Sequence, residues 1–317
     1  MKVFLLSFIL SINVSLTFNL KADGQTVIAP QLFAPGIIST GGYESHPAFT
    51  PDGKEIYFIK SAPDFSSWTI CVSHLQNGRW NKPSVAPFSG IYNDADPFIT
   101  KDGKRLYFIS DRPIRKEDTI AKDLDIWYVE KMENGWGEPV RLDTTVNSDQ
   151  NEWYPTIANS GNLYFGSERL GGAGRSDIYF CRYANGQFAE RHQIKDSVST
   201  RFAEFEPFIF PDESAMIFMG IRPGGGGNYD FYITRKNGEH WTIPVNVKEL
   251  NSPGAEYSPS ITTDGKYFFF ASTRLNQKQR KKLNYESLDK QLNSPGNGLG
   301  DIYYLSIKDL YKILTGY

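Results

Sequence analysis

The chain has 317 residues, a formal net charge of −2 and 15% aromatic residues, among them 18 Tyr and 22 Phe. A near-neutral charge gives no general pull toward nucleic acid, and the one basic cluster, Lys278 to Lys282, is local. This density of aromatics suits half-buried strands and argues against long helices, while two cysteines and four scattered histidines give no zinc spacing.

The chain starts with Lys2 and an apolar run from Val3 to Phe18, broken by Ser7, Ser11, Asn13 and Ser15, with the small Ala22 ahead of a polar stretch. Such a segment reads as a signal peptide over residues 1–22 and not as a retained anchor. It predicts an exported protein, periplasmic or secreted, with no membrane span once the signal is removed.

From residue 27 to 306 the chain is one repeated unit. An acidic residue, two variable residues, Pro, a short apolar stretch, a polar turn and an aromatic strand recur five times. The openings are Glu44-Ser-His-Pro47, Asp94-Ala-Asp-Pro97, Glu152-Trp-Tyr-Pro155, Glu204-Phe-Glu-Pro207 and Glu256-Tyr-Ser-Pro259, spaced by 50, 58, 52 and 52 residues. Periods of this length filled with short strands mean propeller blades. Turns such as Pro51-Asp-Gly-Lys54 and Lys101-Asp-Gly-Lys104 join the first and second strands, and Asn-Gly turns such as Gln76-Asn-Gly-Arg79 join the third and fourth. The expected fold is therefore all-β, a five-bladed propeller of four-stranded antiparallel blades. The fifth repeat lacks a fourth strand, since only a short amphipathic tail, residues 307–317, follows Ile302 to Ser306. The segment Val27 to Phe33 is expected to supply that strand beside Ile302 to Leu305 and close the ring, which removes exposed sheet edges. Cys71 and Cys181 fall in non-neighbouring repeats and read as buried free thiols.

The acid-x-x-Pro opening, the Pro-Asp-Gly turn, a strand ending in Ser-x-Arg and an Asp-Ile-Tyr strand together resemble the TolB-type propeller repeat, a distant relative of the Trp-Asp repeat. The resemblance spans residues 44 to about 306. It implies an exported protein that works by binding other macromolecules, although TolB itself has six blades and a second domain for which this chain has no room.

Alternating strand direction puts the long loops on one face: Pro113 to Leu124, Gly171 to Gly174, Pro223 to Gly227, and the insertion Asn276 to Gly300. Loops on a rigid scaffold are where binding residues concentrate. Glu44, Asp94, Glu152, Glu204 and Glu256 enter the ring from this face, flanked by Tyr43, Trp153 and Tyr257. They are candidate ligand-binding residues, a carboxylate ring with aromatic platforms; alternatively each acid serves only its blade junction by accepting backbone or arginine hydrogen bonds. Arg112, Arg169, Arg222 and Arg274 end the second strand in four repeats, and Asp125, Asp177, Asp230 and Asp301 start the third in the same four. The first repeat has Ala62 and Thr69, and this joint loss predicts Arg–Asp pairs. No catalytic triad, paired-carboxylate motif, metal set, phosphate loop or cofactor motif is visible. The leading expectation is a binding module without catalysis for an envelope protein, peptide or glycan. The alternative is a glycan-active lyase or hydrolase, to be recognised by a compact axial pocket with convergent acids and a His or Tyr of shifted pKa.

Overall fold

Each acid-x-x-Pro opening begins an innermost strand, and the polar turn that follows, Asp-Gly in blades 1, 2 and 5, returns the chain to a second strand that is almost wholly buried. The structure, a computed structural model, describes residues 21–22, 25–26, 28–114, 123–195, 197–275 and 282–316. Residues 1–20 of the expected signal peptide and three of the basic residues of the insertion, Lys278, Arg280 and Lys281, lie outside them. Five antiparallel sheets succeed one another along the chain, with innermost strands Tyr43–Phe49, Asp94–Ile99, Glu152–Ile157, Ala203–Ile209 and Glu256–Ile261. These are the five blades expected from the repeats.

Blade 5 is completed from the amino terminus. Gln31–Leu32 pairs with Tyr303 and Tyr304 of the third strand Asp301–Ser306, and the amide of Phe33 donates to the carbonyl of Ile302 (2.8 Å). The Phe33 ring then stands edge-on to Phe49 and Trp80 of blade 1 and to Phe269 of blade 5. The closure thus rests on a short ladder reinforced by aromatic packing across the seam. In blades 1, 2 and 4 the outer strand is broken into two pieces of two residues, whereas blade 3 keeps a continuous one, Gln187–Gln193. The carboxy-terminal tail is a helix, Ile307–Leu314, capped by Ser306, whose Leu310, Ile313 and Leu314 pack under blades 4 and 5. A second helix, Tyr285–Leu292, lies in the insertion and buries none of its residues. Both cysteines are buried and free.

The expected Arg–Asp pairs are not formed, and this is a correction. Each arginine instead folds back on the acid that opens its own blade: Arg112 on Asp94 (2.6 Å), Arg169 on Glu152 (3.0 Å), Arg222 on Glu204 (3.0 Å) and Arg274 on Glu256 (3.3 Å). The same guanidinium donates to a carbonyl of the preceding blade crossing, such as Val146 or Leu250, and lies over rings of its own blade, such as Phe165 and Tyr179. In blade 1, Lys60 stands at the strand position that is Ser110 in blade 2, and its ammonium reaches Glu44 directly (2.5 Å). Blade 1 has therefore changed its cation without losing the pair.

The aspartates that open the third strands hold the loops instead. Asp125 binds Arg141 (2.6 Å), Asp177 accepts from the amides of Ala173 and Gly174, Asp230 from those of Gly226 and Gly227, and Asp301 from that of Gly296. Glycine is needed in these loops because the backbone approaches the carboxylate; a Cβ at Gly172 or Gly225 would collide with it. Burial pushes Asp301 up to about 7, against the hydrogen bond from Gly296, with the negative charge of Glu44 adding to the shift. A carboxyl raised in the folded state carries no penalty below its unfolded value and loses stability as pH rises from there toward 7. Asp301→Asn should therefore gain more stability at pH 8 than at pH 4.5, by a difference on the order of a few kcal/mol, in chemical denaturation at the two pH values. An equal effect at both would show that Asp301 is not strained by its charge.

Candidate functional site

The five opening acids are wholly buried and none of them lines the axis. Besides its cation, each accepts from a Ser or Thr at the preceding crossing: Thr40 to Glu44, Ser89 to Asp94, Ser148 to Glu152, Thr200 to Glu204 and Ser252 to Glu256. Burial lifts Asp94, Glu152 and Glu204 above the usual carboxylate range despite these hydrogen bonds and the neighbouring arginines. This is the second of the two roles that the repeat allowed, the upkeep of every blade junction. Of the three flanking aromatics, Trp153 lines the axial cavity, and Tyr43 and Tyr257 stand together at its side, ring centroids 6.4 Å apart.

The residue two places after each acid is the one that faces the axis. His46, Asp96, Tyr154, Glu206 and Ser258 all have positive φ, between 47° and 57°, and each falls where the register of the innermost strand shifts against the second. A bulge leaves one residue unpaired and re-aims its side chain, and left-handed backbone in residues other than glycine costs on the order of 1–3 kcal/mol each. The same strained device repeated in five blades presents five different side chains to one point.

At that point the His46 Nε2 lies 3.0 Å from Asp96 Oδ1 and 3.2 Å from Glu206 Oε1, so a single nitrogen bridges carboxylates from blades 2 and 4. Their second oxygens are also engaged: the Tyr154 amide donates to Asp96 Oδ2 (2.8 Å), and the Ser258 amide donates to Glu206 Oε2. All five blades are thus tied through two carboxylates and one imidazole, and Nδ1 of that ring meets Ser45 Oγ (2.7 Å). Burial opposes charge on His46, but the two carboxylates outweigh it and push the imidazole up to about 10. Tyr154 and Tyr257, whose rings lie 5.8 and 5.7 Å from that of His46, are raised well above the ordinary phenol value by burial. His46 is therefore an imidazolium over the whole physiological range, and the tyrosines are neutral.

Above this cluster is a cavity of about 100 Å³ with aromatic walls, Phe65, Trp68 and Trp153. The arrangement can do acid–base chemistry: two carboxylates of separate origin, one fixed cation between them, and a small apolar chamber that strengthens their fields. Among the described residues no group of His, Cys, Asp and Glu forms a metal-binding set. The constant part of the repeat points to the acids; the axial residues occupy the second of its two variable columns.

No protein-family model and no curated protein sequence matches the chain. Solved structures of similar fold include the α-L-arabinofuranosidase of Lactobacillus brevis, with a TM-score of 0.52 at 13% identity over 84% of this chain and 91% of that one. Others are the GH43 endo-arabinanase of Bacillus licheniformis (TM-score 0.52, 12% identity, 84% and 94% covered) and a thermostable family-43 glycoside hydrolase (TM-score 0.50, 12% identity, 86% and 90% covered). These likenesses establish the propeller fold. The expectation of a binding module without catalysis is corrected: the axis holds the compact pocket with convergent acids and a shifted histidine, and these neighbours are glycoside hydrolases.

Proposed function

We propose that the chain is a glycan-active enzyme, a hydrolase that cleaves glycosidic bonds of uncharged sugars in the axial cavity. The observation that carries this reading is the pair Asp96 and Glu206, brought from two blades onto the His46 nitrogen at the base of an aromatic-walled chamber. Paired carboxylates are what glycoside hydrolysis requires, one to protonate the leaving oxygen and one to assist the attack on the anomeric carbon. The glycoside hydrolases among the structures of similar fold support the same class.

Glu206 is the longer and the more exposed of the two side chains and is assigned as the acid; Asp96 is the base. One water is consumed per bond. The bond between anomeric carbon and bridging oxygen breaks with its electron pair on the oxygen, which takes the proton of Glu206. The water oxygen bonds to the anomeric carbon and its proton passes to Asp96, after which exchange with solvent restores the starting protonation. His46 is a positioning residue: it pairs with the Asp96 carboxylate while Glu206 carries its proton, and with both carboxylates once that proton has been given.

Hydrolysis is favoured over elimination by charge. A lyase acting on a uronate needs a cation against the sugar carboxylate, and the only cation among the described residues lining the cavity is His46, already shared between two carboxylates. Incubation with a panel of uncharged and uronate-containing oligosaccharides should release reducing ends from the former and form no unsaturated uronate from the latter. Formation of the unsaturated product, or binding without cleavage across the whole panel, would overturn the reading.

A further inference from the structure

Among the described residues the axial cavity is walled off on the blade 5 side and below, and this limits how a glycan can enter. Its lining comes from blades 1 to 4. The sector belonging to blade 5 is filled by Tyr43 and Tyr257, against which Gly300, the last residue of the insertion, lies so closely that a Cβ there would collide with both rings. That plug is pinned: the Glu44 amide donates to the Gly300 carbonyl (2.7 Å), and Asn297 Nδ2 donates to the Gly41 carbonyl (3.1 Å). Below the cluster, hydrogen bonds between innermost strands close the axis, from Tyr154 Oη to the Pro259 carbonyl (2.8 Å), from Thr156 Oγ1 to that of Pro207 (2.7 Å) and from Ser260 Oγ to that of Pro47 (3.0 Å). Opposite the plug, Trp153 rises from blade 3, while Phe65 stands at the blade 1 side, edge-on to Tyr43 at 4.6 Å and with positive φ.

An internal sugar of a chain needs two exits, one for each neighbouring unit, whereas a terminal sugar needs one. From the blocked sector, the closed floor and the small volume we infer that the site is exo-acting. It admits only the terminal residue of an uncharged glycan and releases one monosaccharide per turnover, with Phe65, Trp68 and Trp153 as the walls that grip the ring. Aromatic faces stack on the apolar faces of sugar rings, and a chamber in which no described lining residue is a free cation selects against anionic sugars. The inference rests on the hydrolase reading.

Its test uses the full chain and uncharged oligosaccharides labelled at the reducing end, followed by chromatography from the earliest time points. The expected result is free monosaccharide together with a labelled product one unit shorter, with no labelled products of intermediate length until later. Intermediate lengths from the outset would overturn the exo inference and leave the hydrolase reading standing; no cleavage of any oligosaccharide would sink the hydrolase reading itself. In parallel, Phe65→Ala and Trp153→Ala should each raise KM by about tenfold or more, the scale at which an apolar pocket discriminates. Unchanged KM in both, with cleavage intact, would remove the aromatic walls as the determinants and overturn the assignment.

Discussion

Glu206→Gln is expected to lower turnover of an uncharged glycan by about 10²–10⁴-fold, the usual contribution of a positioned acid or base, with the folded structure retained. The amide keeps one oxygen, which can accept from the Ser258 N–H or from His46 but not from both, and Asp96 remains to balance the imidazolium at 3.0 Å, so the tie among the blades is weakened without stranding a charge. What the amide lacks is a proton to give to the leaving oxygen. Steady-state kinetics check this directly, and the loss should appear in kcat more than in KM, because the acid acts on charge that develops in the transition state.

Arg169→Ala is expected to destabilise the protein by about 3–5 kcal/mol, the cost of removing one partner from a buried pair. The guanidinium and the Glu152 carboxylate are 8% and 0% exposed, and the arginine also satisfies the Val146 carbonyl and the Ser167 hydroxyl. Its removal would leave a buried carboxylate without its cation, a carbonyl without its donor and two aromatic faces without the group between them. Urea denaturation measures the change. A loss below about 1 kcal/mol would place the pair with exposed salt bridges, which contribute little.

How the ring is built was legible from the repeat, because an acid-x-x-Pro opening and a polar tight turn, Asp-Gly in three blades, recur in every blade and each has one local solution. Closure was legible as well, from a fifth repeat one strand short and an unassigned segment before the first. The partners of the arginines were not. Each arginine lies within reach of two acids of its own blade, and only the way the chain bends after the second strand decides that Arg112 turns to Asp94 and not to Asp125. The exchange of Arg for Lys60 in blade 1 was hidden because the lysine comes from a different strand position. The axial residues were hidden for another reason. Alternation along an ordinary strand puts His46 and Glu44 on the same face, whereas the left-handed bulge sends His46 to the axis and leaves Glu44 at the junction. The usable signal was chemical variety: His, Asp, Tyr, Glu and Ser, polar in every blade, in the second of the two variable columns.

That contrast between column and frame can be measured in one experiment on two neighbouring carboxylates of blade 4. Glu204 accepts from Thr200 Oγ1 (2.6 Å) and pairs with the guanidinium of Arg222 (3.0 Å) at the junction, while Glu206 faces the cavity. Thermal stability and turnover of Glu204→Gln and Glu206→Gln should be recorded side by side. The expected result is a double dissociation: Glu204→Gln loses about 1.5–3 kcal/mol, the worth of hydrogen bonds to a charged group, and keeps its kcat, whereas Glu206→Gln keeps most of its stability and loses its kcat. Turnover abolished by Glu204→Gln and spared by Glu206→Gln would contradict the assignment of the axis as the site of chemistry.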